Sequence, residues 1–148
     1  MRFEASVQVA ARPADVFAVL GDYRQDPRWR RGVVTMRPDP PGPARPGTTT
    51  DEVIRFLGIT TRTPGQVTAV TDGELLAWRA AGARLAASGT RRVEPAPGGS
   101  RVTVATELRL RGPWRAMEPL LALVYKSQLR GDLARLRALA ESRAVPGR

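Results

Sequence analysis

Apolar and polar residues alternate from the second residue onward. Phe3, Ala5, Val7 and Val9 fall on one side, Glu4, Ser6 and Gln8 on the other, which is the period of a half-buried strand over residues 2–10. The period then lengthens. Val16, Phe17, Val19 and Leu20 recur at i, i+3, i+4, the mark of a helix with one apolar face. Pro13 supplies a start signal, because proline at the first helical position loses only an N–H that had no partner. The spacing predicts a helix over about 13–21, broken at Gly21-Asp22, and a second short one over 23–31 that closes on Pro27-x-Trp29. Val33 to Arg37 reads as a second strand, and the proline-rich stretch Pro38 to Gly47 as a long exposed loop.

From Thr48 the period is two again. Thr50, Glu52, Ile54 and Phe56 share one face of a third strand, and Asp51, Val53, Arg55 and Leu57 the other. Gly58 turns the chain into a fourth strand through Val70, with Pro64-Gly65 expected as a bulge or edge irregularity. Asp72-Gly73 is a hairpin signal; a fifth strand follows from Leu75 to Ala80 and a sixth over about 84–94. The clearest alternation is in the seventh, 101–111, where Val102, Val104, Thr106, Leu108 and Leu110 face inward. A sheet with one wet and one dry face is antiparallel and covered on a single side.

Gly112-Pro113 ends the sheet, and the pattern predicts one long helix from Trp114 to Ser142. Met117, Leu120, Leu121 and Val124 form its first apolar stripe; Tyr125, Leu129, Leu133, Leu136 and Ala140 form a second. At about 100° per residue the second is rotated by roughly a quarter turn from the first. Either the helix bends near Gly131, or its first half faces something other than the main core. A cavity beneath that half satisfies the geometry.

The order Pro13…Val16-Phe17…Leu20…Asp22…Pro27-x-Trp29, then Gly47, then Gly99-Ser100-Arg101-Val102-Thr103-Val104, then Asp132-Leu133…Leu136 resembles the START-like (SRPBCC) superfamily, in its polyketide cyclase/dehydrase and lipid-transport branch. The resemblance spans nearly the whole chain. It implies an α+β helix-grip fold: a curved antiparallel sheet of about seven strands, in the order β-α-α-β6-α, around a long C-terminal helix with an internal cavity. The expected organisation is a single domain over 1–143 with 144–148 as a flexible tail. The superfamily includes lipid carriers, hormone receptors and polyketide aromatases and cyclases, so the resemblance bears on the fold more than on the reaction.

Composition narrows the chemistry. The 148 residues contain no cysteine and no histidine, which removes disulfides, thiolate metal sites, histidine triads and most zinc or non-haem iron centres. No metal and no cofactor is implied. Acid–base work falls to carboxylates, tyrosines, arginines and the single lysine, Lys126. The net charge is +10, carried by 24 basic residues of which all but Lys126 are arginine. They are scattered rather than gathered on one face with stacking aromatics, so they do not point to nucleic acid. No secretory core opens the chain and no run of about 18 apolar residues occurs, so a cytoplasmic protein without a transmembrane segment is expected.

A ligand would be held by inward strand residues and the near half of the long helix: Ile54, Phe56, Trp78, Val104, Thr106 and Leu108 from the sheet, with Met117, Leu121 and Gln128 from the helix. Each position alone also suits ordinary core. Trp29 either plugs the junction of sheet and helix or stands at the pocket mouth. Glu52 shares the Ile54/Phe56 face, and a carboxylate in an apolar cavity must be paired, hydrogen-bonded or protonated. Arg91, on the face of Val93, is either the partner or the seat of an anionic ligand group; the ordinary alternative leaves Glu52 in water at the strand's open end and Arg91 reaching to the surface.

Three functions follow. The first is binding of a hydrophobic small molecule, lipid-like or polyketide-like. The second is a polyketide cyclase, aromatase or dehydratase with Glu52 as base, Arg91 as anion stabiliser and Tyr125 as acid. The third is a basic module for an acyl carrier protein or another anionic surface, which requires Arg109, Arg111 and Arg115 to cluster with Arg30 and Arg31.

Overall fold

A computed structural model describes residues 1–144; the expected tail lies, beyond Ala144, outside them. The order is β1 (Arg2–Val9), α1 (Pro13–Leu20), a single 3-10 turn (Tyr23–Gln25), α2 (Asp26–Trp29), β2 (Val33–Asp39), β3 (Thr49–Phe56), β4 (Ile59–Thr71), β5 (Leu75–Ala81), β6 (Leu85–Ala96), β7 (Gly99–Leu110), a second 3-10 turn (Gly112–Met117) and α3 (Glu118–Arg143). The seven strands form one antiparallel sheet in the order β1-β7-β6-β5-β4-β3-β2. This is the helix-grip arrangement, and the inward residues of β7 are those that the alternation marks.

The first apolar period becomes core because β1 pairs with β7 in a register that sets Val7 opposite Val102 and Phe3 opposite Thr106. Phe3, Val9, Val102 and Val104 pack there against Val16 and Leu20 of α1 and against Leu129, Leu133 and Leu136 of α3. A second cluster joins Tyr23, Val33, Met36, Val67 and Leu76, and Phe17 touches both. The helix α3 leans on β1, α1 and α2. Over the middle strands its first half leaves room beneath it.

Three local expectations change. The long helix begins at Glu118 rather than Trp114, because Pro119 is tolerated only in a first turn; deeper in, its ring would strike the carbonyl four residues back. Leu120 of the expected first stripe is therefore on the outer side and half exposed, while Leu121 is buried. The irregularity expected at Pro64-Gly65 lies between Val67 and Ala69, opposite β5; the ladder with β3 runs unbroken through Pro64. The proline-rich loop is shorter, since β2 continues through Pro38 as an edge strand. It is also pinned: the Ala44 N–H donates to the Gly21 carbonyl at 2.8 Å, and the Ala44 side chain is buried.

The turn into β7 is tightly packed against the β1–α1 connection. Gly99 has φ +152°, and a Cβ there would lie 2.2 Å from the Val9 carbonyl oxygen and 2.8 Å from the Ala11 nitrogen. The Ser100 hydroxyl donates to the Ala11 carbonyl at 2.6 Å. The Ala10 N–H donates to Glu141 Oε2 at 2.7 Å, which ties the same turn to the end of α3. No helix among the described residues is long and apolar enough to cross a membrane.

Candidate functional site

Between the sheet and the first half of α3 lies a cavity of about 140 Å³, close to the roughly 150 Å³ apolar cavity that takes up benzene in an engineered protein. Its roof comes from Leu121, Tyr125, Gln128 and Asp132, spaced by four, three and four residues and therefore on one helical face. Trp114 and Met117 of the preceding 3-10 turn extend that roof. Ile54 and Phe56 of β3, Trp78 and Ala80 of β5, and Thr106 and Leu108 of β7 are part of the floor. The hollow exists partly because facing positions Ala80 and Ala87 carry only methyl groups. Trp78 lies opposite Gly89, where a Cβ would come within 3.0 Å of the indole and 2.4 Å of the Ala105 carbonyl oxygen. Glycine there lets the ring lie across β6.

The cavity is polar at one end. From the β3–β4 hairpin tip inward, the cross-strand pairs are Phe56/Ile59, Ile54/Thr61 and Glu52/Thr63, all of them in the lining. Arg30 Nη1 donates to Glu52 Oε2 at 2.7 Å and to Asp26 Oδ2 at 3.0 Å. Asp132, at the same end, accepts the Arg31 N–H at 3.1 Å and pairs with Arg135. Burial pushes the Asp132 carboxyl above its usual range despite those donors.

Behind Glu52 the chain buries a second ion pair. Arg91 and Asp26 form a two-pronged contact at 3.0 and 2.6 Å, and Arg91 also donates to the Leu20 carbonyl at 2.9 Å. The guanidinium lies over the Tyr23 and Trp29 rings, 4.6 and 5.1 Å from their centroids. Burial opposes the charge on both arginines, but their carboxylate partners outweigh it and hold each guanidinium above its ordinary pKa.

Burial also pushes the Tyr23 phenol up to about 12 from 10.0, with the Arg91 charge acting against it. Below pH 10 the phenol is protonated in both folded and unfolded chains, so the full stability is present. As pH rises from 10 towards 12 the unfolded chain gives up this proton first, and stability falls. The loss expected from a shift of that size is up to about 3 kcal/mol. Urea unfolding on either side of pH 10 measures it; Tyr23→Phe should flatten the alkaline slope, and an unchanged slope would refute the assignment.

Ten of the thirteen residues marked in the sequence line the cavity: Glu52, Tyr125, Ile54, Phe56, Trp78, Thr106, Leu108, Met117, Leu121 and Gln128. Three do not. Arg91 is engaged by Asp26 and does not reach Glu52, whose cation is Arg30 instead. Trp29 and Val104 belong to the packed core, Trp29 stacked on Arg91 and Val104 beside β1 and α3. The expected basic group does not include Arg30, which turns inward, while Arg31, Arg109, Arg111 and Arg115 are exposed. Sequence reasoning missed Asp26, Arg30 and Thr63 as parts of the site. The first two stand four residues apart, Asp26 opening α2 and Arg30 just past its end, a spacing that pairs side chains, and that was the available signal.

Tyr125 sits in an aromatic group, its ring 4.7 Å from Phe3 and 6.4 Å from Phe56 between centroids. Glu52, Tyr125 and Gln128 thus offer a carboxylate, a hydroxyl and an amide to whatever occupies an otherwise apolar space. Among the described residues no group of three or more carboxylates is placed to hold a metal ion.

Solved structures share this architecture. TTHA0849 from Thermus thermophilus superposes with a TM-score of 0.83 at 15% identity, over 98% of this chain and 100% of its own. The Zhui aromatase/cyclase from Streptomyces sp. R1128 gives 0.81 at 15% identity, over 99% and 96%. DR_A0006 from Deinococcus radiodurans gives 0.72 at 21% identity, over 96% and 98%. Identities this low speak for the fold alone. No curated protein matches the chain by sequence. The sequence profile described as "Polyketide cyclase / dehydrase and lipid transport" matches residues 1–141, and the chain belongs to that family.

Proposed function

We propose that the protein binds a small, mostly apolar molecule in the cavity between its sheet and α3. The observation that carries this reading is the hollow itself. Apolar side chains from β3, β5, β7 and α3 converge on it without filling it, whereas the other half of α3 is packed against β1 and α1. Such sites are concave and largely apolar, with a few placed polar groups. Fluorescence titration with the neutral probe N-phenyl-1-naphthylamine tests it. Saturable uptake is expected, and Ala80→Phe, which puts a ring into the hollow, should weaken it at least about tenfold while the chain stays folded. Absence of uptake by the unaltered protein would overturn the proposal.

A second reading, cyclisation or dehydration of a polyketide-like chain, is favoured by Glu52 and Tyr125 lining one cavity. In it Glu52 takes a proton, Tyr125 returns one, and Arg30 replaces Arg91 as the cation beside the carboxylate. Turnover of a poly-β-ketone substrate that is unaffected by Glu52→Gln would remove it.

A further inference from the structure

The polar end of the cavity is electrically complete and yet short of hydrogen bonds. Asp26, Glu52, Arg30 and Arg91 form one connected network of two anions and two cations, and Asp132 is matched by Arg135. An arriving carboxylate or phosphate would meet no unmatched cation at this end, and it would lie beside the Glu52 charge with its own solvation lost. Two hydrogen-bonding positions nonetheless stay open. Thr63 is 2% exposed, and its hydroxyl has no partner among the described residues, a costly state for a buried polar atom. Glu52 uses Oε2 for Arg30, and its Oε1 accepts nothing from the described residues. The two residues are cross-strand partners in the cavity lining, with Cβ atoms about 5 Å apart in such pairs, so one bound group can address both once the Thr63 side chain, whose oxygen is sealed, rotates towards it.

We propose that the cavity selects an uncharged ligand bearing a hydroxyl group on an apolar ring or chain, the hydroxyl donating to Glu52 Oε1 and accepting from Thr63 Oγ1. One group that both donates and accepts answers both vacancies. An ether, a hydrocarbon or an anion answers at most one. The inference rests on the binding function proposed above and names the chemical class that the site takes. The other cations of the lining, Arg55 and Arg84, both contact Thr60 near the hairpin tip, and Arg84 also covers the Trp114 ring. They are the alternative seat for an anionic ligand.

Matched probes decide between the two. Displacement of N-phenyl-1-naphthylamine by 1-naphthol, naphthalene and 1-naphthoate is measured near neutral pH, where the naphthol is uncharged. The naphthol should bind roughly tenfold or more tightly than naphthalene, the size expected for a hydrogen bond to a charged acceptor, and the naphthoate most weakly. Thr63→Val keeps the side-chain shape and should narrow the naphthol-to-naphthalene ratio to within about threefold. Glu52→Gln should narrow it too and raise naphthoate affinity, because it removes the repelling charge; thermal melting establishes that both variants are folded. Naphthoate binding as tightly as naphthol, with dependence on Arg84, overturns the inference. So does a naphthol preference that survives both substitutions. Naphthalene bound with no preference for the hydroxyl removes this inference alone, whereas no binding of any probe removes the binding function and this inference with it.

Discussion

Asp26→Ala is expected to destabilise the fold by about 3–5 kcal/mol, the cost of leaving a buried arginine charged without its partner. Asp26 is fully buried and Arg91 nearly so, and the Arg91 and Arg30 guanidinium groups both bond to that one carboxylate. Natural domains have about 5–15 kcal/mol in total, so this single change removes a large share. Arg30 would keep Glu52; Arg91 would keep only the Leu20 carbonyl and the faces of two rings. Replacing both members of the pair, as Asp26→Leu with Arg91→Met, should recover most of the loss, since an apolar pair of similar volume carries no desolvation penalty. Urea denaturation of the two variants is the measurement. A cost for Asp26→Ala below about 1 kcal/mol, the range of an exposed pair, would show that the network is hydrated rather than buried.

Gly99→Ala should cost about 3 kcal/mol, through overpacking against fixed backbone and a φ that side chains avoid. The added methyl would meet Val9 O at 2.2 Å, Ala11 N at 2.8 Å and Ala10 Cα at 3.1 Å. All three are main-chain atoms, so no rotamer change relieves the contact. The neighbouring Gly98 serves as the comparison: its φ is +79° and nothing stands within 4 Å of the added atom. Gly98→Ala should therefore cost only the conformational part, about 1–2 kcal/mol. Equal losses for the two variants would mean that the turn relaxes, and that the contact between β7 and the β1–α1 connection is not rigid.

The cavity residues that were legible in advance are those set by local period. On β3, Glu52, Ile54 and Phe56 share a face in the sequence and a wall in the structure. The same holds for Thr106 and Leu108 on β7. A strand sends alternate side chains to opposite faces whatever surrounds it. Val104 obeyed the same rule and still fell outside the cavity, because α3 and β1 close over it there. The helix roof was legible in part. Leu121, Tyr125 and Gln128 follow from helical spacing, but the exposure of Leu120 depends on where α3 begins and how it leans.

The ion pairs are a different matter. Arg91 faces inward, as its place on β6 suggests, yet the alternation offers only Glu52 as its carboxylate, and that pair does not form. Its partner, Asp26, is 65 residues away on a one-turn helix, and Arg30, just past the end of that helix, fills the position beside Glu52. Which pairing forms depends on the seating of α2 against the sheet and α3.

Element order and the inner face of each strand thus follow from the chain's own periodicities, because backbone geometry repeats every two or every 3.6 residues wherever the segment lies; the helix-grip plan comes from the family resemblance, not from period. The partners of the buried charges, the depth of the hollow and its hydrogen-bond vacancies follow from assembly instead. They depend on distances of a few ångströms between segments remote in the chain, and in a dehydrated interior such distances govern the energy.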